Sequence, residues 1–399
     1  MRRRDFSKGL AGSLLSTGIA RSATALVAAG QAQNKPTTPR KNTMMHVGAD
    51  YHVAEGGGAM SRENLEYNLR FGVRHISPDP EMILEGEAGV RRPLASPDSR
   101  GGAFISAEGP SGGAFDLGKL KRMRDACDAV GMTIEGFRMD SGYIVMKPGA
   151  ERDRKIDQIL ENVRKTHLVG VGLISQHWTM IPIRRNGKEP GRGGSTYETF
   201  KLEENWKELP PGIAGDVSSA EYWERITHFL QKVIPVCTEY NVKMANHPYD
   251  PPGLPLGYEH VENFDSPSIF TAYKRYEMIV DSPYNGFQLD LGVLAEGSVD
   301  ANKQIPPLVH YLAERGKIHQ IHMRAIKGGL NHFAEVYPDE GVLDLFEIMR
   351  ILRDTGYAGG ILPDHMPSHP GDPGKLQAYA FGYGYIHALI NGVNSECAS

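Results

Sequence analysis

Cysteine is scarce in this 399-residue chain, and three residues are too few for a disulfide framework. A large excess of one sign of charge is also lacking, since the chain has 44 Lys and Arg and 48 Asp and Glu. That balance, with no polybasic stripe, argues against a nucleic-acid partner. Long hydrophobic runs are missing as well, because no segment approaches the ~20 apolar residues that cross a membrane. The chain is instead rich in glycine (46) and proline (26), which indicate many loops, and it carries 15 histidines.

The first 32 residues are interpreted as an export signal. The motif Arg3-Arg4-x-Phe6-x-Lys8 resembles the twin-arginine signal, and a weakly apolar stretch follows over 9–20. The alternative is a basic, disordered N-terminus. We therefore expect a signal over 1–32, a linker over 33–42, and a periplasmic protein that uses the twin-arginine export machinery. Nothing in the sequence specifies an oligomeric state.

From residue 43 onward, short apolar runs alternate with helical patterns. The predicted strands are 43–49, 73–77, 132–136, 170–175, 242–246, 286–290, 317–322 and 359–363. The predicted helices are 61–71, 117–130, 151–167, 219–240, 266–281, 303–315, 342–355 and 374–391. This alternation predicts one (β/α)8 TIM barrel over 43–395. A doubly wound open sheet is the alternative, but no glycine-rich dinucleotide loop follows the first strand.

Two long connections interrupt the alternation. They cover 78–116 and 178–218, and both are rich in glycine, proline and charge. In a barrel the second follows strand four, so we expect it to lie over the active-site face as a lid.

Catalytic groups of such barrels sit at the carboxyl ends of the strands. The residues at or near the predicted strand ends are Asp50, His52, His75, Glu135, His177, His247, Asp290, His322, Arg324, Asp364 and His365. The strongest subset is His247, Asp290, His322 and Asp364, one from each of strands five to eight. Two imidazoles and two carboxylates suit a divalent metal, and the oxygen ligands favour Mn2+ or Fe2+. The alternative is that some are ordinary hydrogen-bonded residues, and Glu135 is a further candidate ligand or base.

Several local motifs follow one another in the order found in a known family. They are Asn246-His247-Pro-Tyr-Asp-Pro-Pro, Gly286-Phe-Gln-Leu-Asp290, His322-Met-Arg324, His332-Phe-Ala-Glu335 and Leu362-Pro-Asp364-His365. Together they resemble the metal-dependent D-mannonate dehydratases, which have a xylose-isomerase-like barrel. The likeness is specific from about residue 225 onward. It departs where the family usually has cysteine and this chain has Asp290, a change that favours Mn2+.

The resemblance implies a dehydratase that converts D-mannonate to 2-keto-3-deoxy-D-gluconate. His365 is then the first candidate for acid or base and Tyr379 the second, with Tyr383 as its competitor. Arg324 would hold the substrate carboxylate, although a structural ion pair is the alternative. The other implied substrate contacts are Glu335, His177 and Trp178, the last of which could equally pack in the core.

Two other functions fit the same residues. One is a sugar isomerase, epimerase or lyase on the same metal barrel, which would bind a neutral sugar. The other is a non-catalytic periplasmic sugar-binding protein, which would carry no metal. The predicted partner in every case is a small sugar or sugar acid.

Overall fold

The computed structural model describes residues 42–50, 59–80, 83–84, 114–139, 141–181, 185–247, 249–262 and 269–397. The predicted signal over 1–32, the linker except residue 42, His52 and most of the connection over 78–116 lie outside these residues. The predictions made for them therefore stay predictions. None of the helices in the described part of the chain is long and apolar enough to cross a membrane.

A parallel sheet forms the centre of the fold. Its strands are β1 (His46–Asp50), β3 (His75–Ser77), β5 (Thr133–Ile134), β6 (Phe137–Arg138), β7 (Leu173–His177), β10 (Lys243–His247), β11 (Asn285–Asp290), β12 (Ile318–Met323) and β15 (Gly360–Pro363). They are hydrogen-bonded in the order β5-β3-β1-β15-β12-β11-β10-β7-β6. The two end strands, β5 and β6, are separated only by Glu135 and Gly136. They are thus two halves of one split strand, and the covalent chain closes a barrel of eight strands, as predicted.

Helices alternate with these strands. Their bounds are α1 (Arg62–Arg70), α2 (Leu117–Asp128), α3 (Ala150–Leu168), α4 (Ser219–Tyr240), α5 (Ile269–Ile279), α6 (Leu291–Glu296), α7 (Ala301–Glu314), α8 (Leu345–Asp354) and α9 (Leu376–Ser395). All eight predicted helices are present, and α6 is an additional short one. Ser218 begins α4 in a reciprocal capping box with Glu221, which satisfies backbone groups at the helix start.

The amphipathic pattern of α8 places its apolar side chains against the core. Leu345, Ile348, Met349 and Leu352 are buried there. Arg353, which the pattern places on the solvent face, is also buried. Its guanidinium donates to the Val393 carbonyl oxygen and to Glu396 near the end of α9. Hydrogen bonds to α9 thus keep the side chain of Arg353 buried, which the hydrophobic periodicity of α8 alone does not predict.

A small antiparallel sheet accompanies the barrel and was not predicted. Its strands are β8 (Gly187–Pro190), β9 (Thr196–Lys201), β13 (Ala325–Gly329) and β14 (His332–Val336), in the order β13-β14-β9-β8. A further two-stranded pairing joins β2 (Ala59–Met60) and β4 (Ile83–Leu84). The connection over 178–218 therefore contains a β-hairpin that pairs with β14. Because β13 begins directly after Arg324, this sheet adjoins the carboxyl end of β12.

Candidate metal centre

Three adjacent strands bring two histidines and an aspartate together. His247 ends β10, Asp290 ends β11, and His322 lies at the same level on β12, paired with Asp290 across the ladder. All three are buried, and their ligand atoms lie within 4.8 Å of one another. Three of the four residues predicted as metal ligands thus converge on one space.

The fourth predicted ligand approaches from the neighbouring strand. Asp364 follows β15, and its Oδ2 lies 3.7 Å from Nδ1 of His322. Asp50 ends β1, and its Oδ2 lies 3.7 Å from Nε2 of the same imidazole. Since β15 pairs with both β1 and β12, these carboxylates flank His322 at one edge of the barrel. All four predicted ligands and Asp50 therefore share one buried region.

His322 is held in the form that binds metals. Burial lowers the pKa of His322, although the Asp364 and Asp50 carboxylates oppose that shift. A neutral imidazole offers a free electron pair to a cation. Burial works against the ionised form of Asp290 as well, yet Arg324 and His247 hold the pKa of this carboxyl well below its ordinary value. His322 and Asp290 thus present a neutral nitrogen donor and an anionic oxygen donor.

Asp290 has a second role in the local fold. Its Oδ1 accepts a hydrogen bond of 2.9 Å from the backbone N–H of Val293 and so caps α6. Its Oδ2 faces Nε2 of His247 at 3.5 Å. The two oxygens are therefore divided between the helix start and the candidate metal space, which fixes the direction of the carboxylate.

A buried ionic network lies beside these residues. Arg324 is its centre, and its guanidinium contacts four carboxylates at distances of 3.1 Å or less. They are Asp250, Asp290, Glu296 and Glu335. Arg185, from the connection after strand four, reaches Asp250, Glu296 and Glu335 at 3.3, 3.1 and 2.7 Å. This geometry is that of a structural ion pair, which is the alternative interpretation of Arg324 given by the sequence.

The charges of this region are unbalanced. Six buried carboxylates stand against the two guanidinium groups, which gives a formal charge of 2 − 6 = −4. The carboxylates are Asp50, Asp250, Asp290, Glu296, Glu335 and Asp364. Burial raises the pKa of Glu296 well above its ordinary value, and protonation of this group leaves −3. Uncompensated buried charge is costly, so the donor set and its negative excess both fit a divalent cation.

The first acid–base candidate lies next to this network. Nδ1 of His365 donates to Oε1 of Glu335 at 2.7 Å, and its backbone φ is +42°, in the left-handed region. Burial lowers the pKa of His365, but Asp364 and Glu335 outweigh that effect and raise it. The side chain remains 25% exposed, in contrast to the almost fully buried ligand candidates. It is therefore accessible to a molecule bound in the barrel mouth.

The tyrosine candidates lie on one face of α9. Tyr379 and Tyr383 are both buried, and α9 packs against β15 and β1. The hydroxyl of Tyr383 donates to Oδ1 of Asn68 on α1, which is a structural contact. The Tyr383 hydroxyl thus joins α9 to α1, and the role predicted for Tyr379 stays a prediction.

The two residues after strand four have different surroundings. His177 stacks on His247 with ring centroids 3.9 Å apart, so it adjoins the candidate metal space. Trp178 is fully buried and stacks on Tyr276 at 4.3 Å, while its Nε1 donates to the hydroxyl of Tyr143. Trp178 therefore packs in the core, which corrects the expectation that it lines a sugar pocket.

Two other residues expected on the carboxyl rim lie elsewhere. His75 begins its strand rather than ending it. Glu135 lies in the break between β5 and β6, where Oε1 accepts from the backbone N–H of Gly360 at the start of β15. His75 is thus at the amino end of its strand, and the side chain of Glu135 reaches the amino end of β15.

Sequence reasoning did not single out several residues of this region. Asp250 and Glu296 belong to the network, and the only sequence signal for Asp250 is its place in the segment after His247. Arg138 ends β6 and is buried, with its guanidinium 4.0 Å from Asp79. Its charge, together with burial and His247, holds the pKa of His177 well below the ordinary value. Arg138 is thus a buried cation at the carboxyl rim near His177.

Comparison with known proteins agrees with this arrangement. Residues 197–395 match the family model described as D-mannonate dehydratase (UxuA). A mannonate dehydratase of Thermotoga neapolitana is 28% identical over 296 residues, which are 64% of this chain and 79% of that protein. One of Thermotoga maritima is 36% identical over 175 residues, 42% of each chain.

The solved structures similar to this chain share its fold. The mannonate dehydratase from Streptococcus suis serotype 2 has a TM-score of 0.67 at 19% identity, covering 90% of this chain and 96% of that one. A xylose isomerase domain protein from Alicyclobacillus acidocaldarius has a TM-score of 0.57 at 11% identity, covering 88% and 99%. The predicted xylose-isomerase-like barrel is confirmed. With the family match, this chain belongs to the D-mannonate dehydratase family and is a homologue of its hydro-lyases.

Proposed function

We propose that this protein is a metal-dependent dehydratase that converts D-mannonate to 2-keto-3-deoxy-D-gluconate and water. The observation that supports it most is the buried group of His247, Asp290 and His322 at the carboxyl end of the barrel, in a chain of this family. Asp364 completes the proposed ligand set, and Mn2+ or Fe2+ is the proposed metal.

The reaction requires a base, an acid and a means of stabilising charge. The C2 proton of an aldonate is weakly acidic because the adjacent carboxylate is already negative. A bound divalent cation would withdraw electron density from that carboxylate and stabilise the charge that develops. The protein must also remove the C2 proton and protonate the departing C3 hydroxyl.

His365 is the group we propose for one of these proton transfers. Its Nδ1 is held by Glu335 at 2.7 Å, and its Nε2 lies 3.7 Å from Oδ1 of Asp364, a proposed metal ligand. Glu335 therefore orients His365 and is itself bound by Arg185 and Arg324. Tyr379 is proposed for the other transfer, because it lies on the face of α9 that packs against the barrel. Which group is base and which is acid depends on the face of the sugar presented to each.

The substrate carboxylate needs a cation other than Arg324. The fork of Arg324 already contacts four carboxylates, and displacing them would expose buried charge. Arg138 is a second buried cation at the carboxyl rim, where Asp79 lies 4.0 Å from its guanidinium and its charge acts on His177. We therefore assign Arg324 a positioning role and propose Arg138, beside His177, as the partner of the substrate carboxylate.

Replacing Arg138 with methionine tests this assignment. A lost charge-assisted hydrogen bond costs about 1.5–3 kcal/mol, so we expect KM for D-mannonate to rise about 10- to 100-fold. Arg152→Met is the matched control, since Arg152 is a buried arginine that pairs with Glu224 away from the rim. An unchanged KM in the Arg138 variant would mean that another residue binds the substrate carboxylate.

The proposed reaction is tested on the metal-stripped protein. After addition of Mn2+, D-mannonate is supplied and the 2-keto acid is measured, followed by a screen of other aldonic acids. We expect turnover of D-mannonate that depends on the metal. Turnover of neutral sugars instead would favour an isomerase or epimerase. Failure to form a 2-keto acid from any aldonate would contradict the dehydratase proposal.

A further inference from the structure

A second group of metal-binding side chains lies at the opposite end of the barrel. It consists of His46, His75 and Glu135, here called the amino-end cluster. His46 begins β1, His75 begins β3, and Glu135 lies in the break of the split strand. The ligand atoms of the three residues lie within 4.8 Å of one another. No residue of the proposed dehydratase site belongs to this cluster.

The geometry of the cluster resembles part of a tetrahedral site. Nε2 of His46 lies 3.3 Å from Oε1 of Glu135, and this nitrogen is buried without a hydrogen bond in the described structure. Ligands that bind zinc at about 2.0–2.1 Å stand roughly 3.3 Å apart in a tetrahedron. The rings of His46 and His75 are 3.9 Å apart at their centroids, so both imidazoles face the same region. The donors are therefore spaced for one shared ion.

Gly360 makes room for the carboxylate of this cluster, and Gly48 borders it. A Cβ on Gly360 would overlap the Glu135 carboxylate, and one on Gly48 would stand 3.6 Å from its Oε2. The backbone N–H of Gly360 donates to Oε1 at 3.0 Å, which fixes the carboxylate against β15. A side chain at 360 would exclude Glu135 from this position. The fold therefore holds the carboxylate in place inside the sheet, beside the two imidazoles.

A layer of amide side chains separates the two ends of the barrel. Gln320, two residues before His322, donates to Oγ of Ser77 at 2.8 Å and lies 3.5 Å from Oε2 of Glu135. Gln288, two residues before Asp290, donates to Gln320 at 2.7 Å. The amino-end cluster is thus a separate centre below the carboxyl-end residues.

We propose that the amino-end cluster is a second divalent-metal site, of the Zn2+-binding class with two imidazoles and one carboxylate. Water would complete the tetrahedron, since the side chains of His46 and Glu135 are 28% and 15% exposed. The ion would join β1 and β3 to the break between β5 and β6, where the split strand passes from pairing with β3 to pairing with β7. Its role is to stabilise the barrel rather than to act on the substrate.

Zinc binding in a His322→Ala background tests the proposal, because that variant removes a ligand of the carboxyl-end centre. We expect the background protein to keep one equivalent of Zn2+ after dialysis and to gain thermal stability from it. Adding Glu135→Gln, which preserves shape and the hydrogen bond from Gly360, is expected to weaken Zn2+ binding at least about 100-fold and to abolish that gain. Co2+ titration should show tetrahedral absorption bands in the background protein but not in the Glu135→Gln variant.

The control is His310→Ala in the same background, because His310 is an exposed histidine beside Glu314 on α7. It should bind Zn2+ as the background does, and circular dichroism checks that each variant is folded. Loss of all Zn2+ in His322→Ala alone would overturn the second site, as would retained binding in the folded Glu135→Gln variant. If dehydratase activity is absent but these results hold, only the proposed function fails.

Discussion

Replacing His322 with alanine is expected to abolish metal-dependent turnover. His322 lies between Asp50 and Asp364, and its ligand atom is close to those of His247 and Asp290. Its replacement therefore removes the ligand at the centre of the group. Metal stabilisation of developing charge is worth several kcal/mol, which corresponds to a loss of about 10³-fold or more in kcat/KM. The measurement is the rate of 2-keto acid formation with added Mn2+, together with the metal content.

Chelation and metal restoration separate this loss from misfolding. The unmodified protein should lose activity in chelator and regain it with Mn2+, whereas His322→Ala should not respond. His332→Ala, an exposed histidine at the start of β14, is the matched control and should behave as the unmodified protein. Full activity of His322→Ala would remove this residue from the proposed ligand set.

Replacing Arg324 with methionine is expected to destabilise the protein by about 3–5 kcal/mol, because it leaves buried carboxylates without their partner. The four close contacts of the guanidinium are all to buried groups, so water cannot replace it. Urea unfolding in chelator measures the effect without a contribution from bound metal. Arg324→Lys keeps the charge but loses the planar fork, so a smaller loss is expected.

The control for this prediction is a surface ion pair. Arg192 contacts Asp339 at 2.6 Å, and both side chains are more than a third exposed. Arg192→Met is therefore expected to cost about 0–1 kcal/mol. If Arg324→Met proved too unstable to purify, the unfolding free energy of Arg324→Lys can still be compared with that of Arg192→Met. Equal stability of both Arg324 variants and the unmodified protein would contradict the positioning role.

The barrel was predictable because each of its parts has a local signal. The Ser218 cap, the stripe of α8 and the apolar strand runs each predict one element, and their alternation predicts the closure. The antiparallel sheet was not predicted, because the pairing of β9 with β14 joins two hairpins that lie far apart in the sequence. The split in the third strand was also missed, because Glu135 and Gly136 interrupt pairing without a proline or a turn motif.

The candidate metal residues were predictable in part for the same reason. His247, Asp290, His322 and Asp364 each end or follow a strand, and parallel strands bring their carboxyl ends to one edge. Asp250 and Glu296 lie in a loop and a short helix, so nothing in the spacing places their carboxylates against Arg324. Arg138 was missed because its strand is only two residues long. The partners of a charged side chain depend on tertiary contacts that a linear pattern does not contain.

The pairing of β15 with β1 has a consequence for the order of assembly. Asp50 comes from the first barrel strand and Asp364 follows the last, yet both flank His322. A chain still being synthesised without β15 therefore lacks both the last carboxylate and the neighbour against which β1 docks. Capture of an ion by the full proposed ligand set would thus have to follow synthesis of β15 and Asp364.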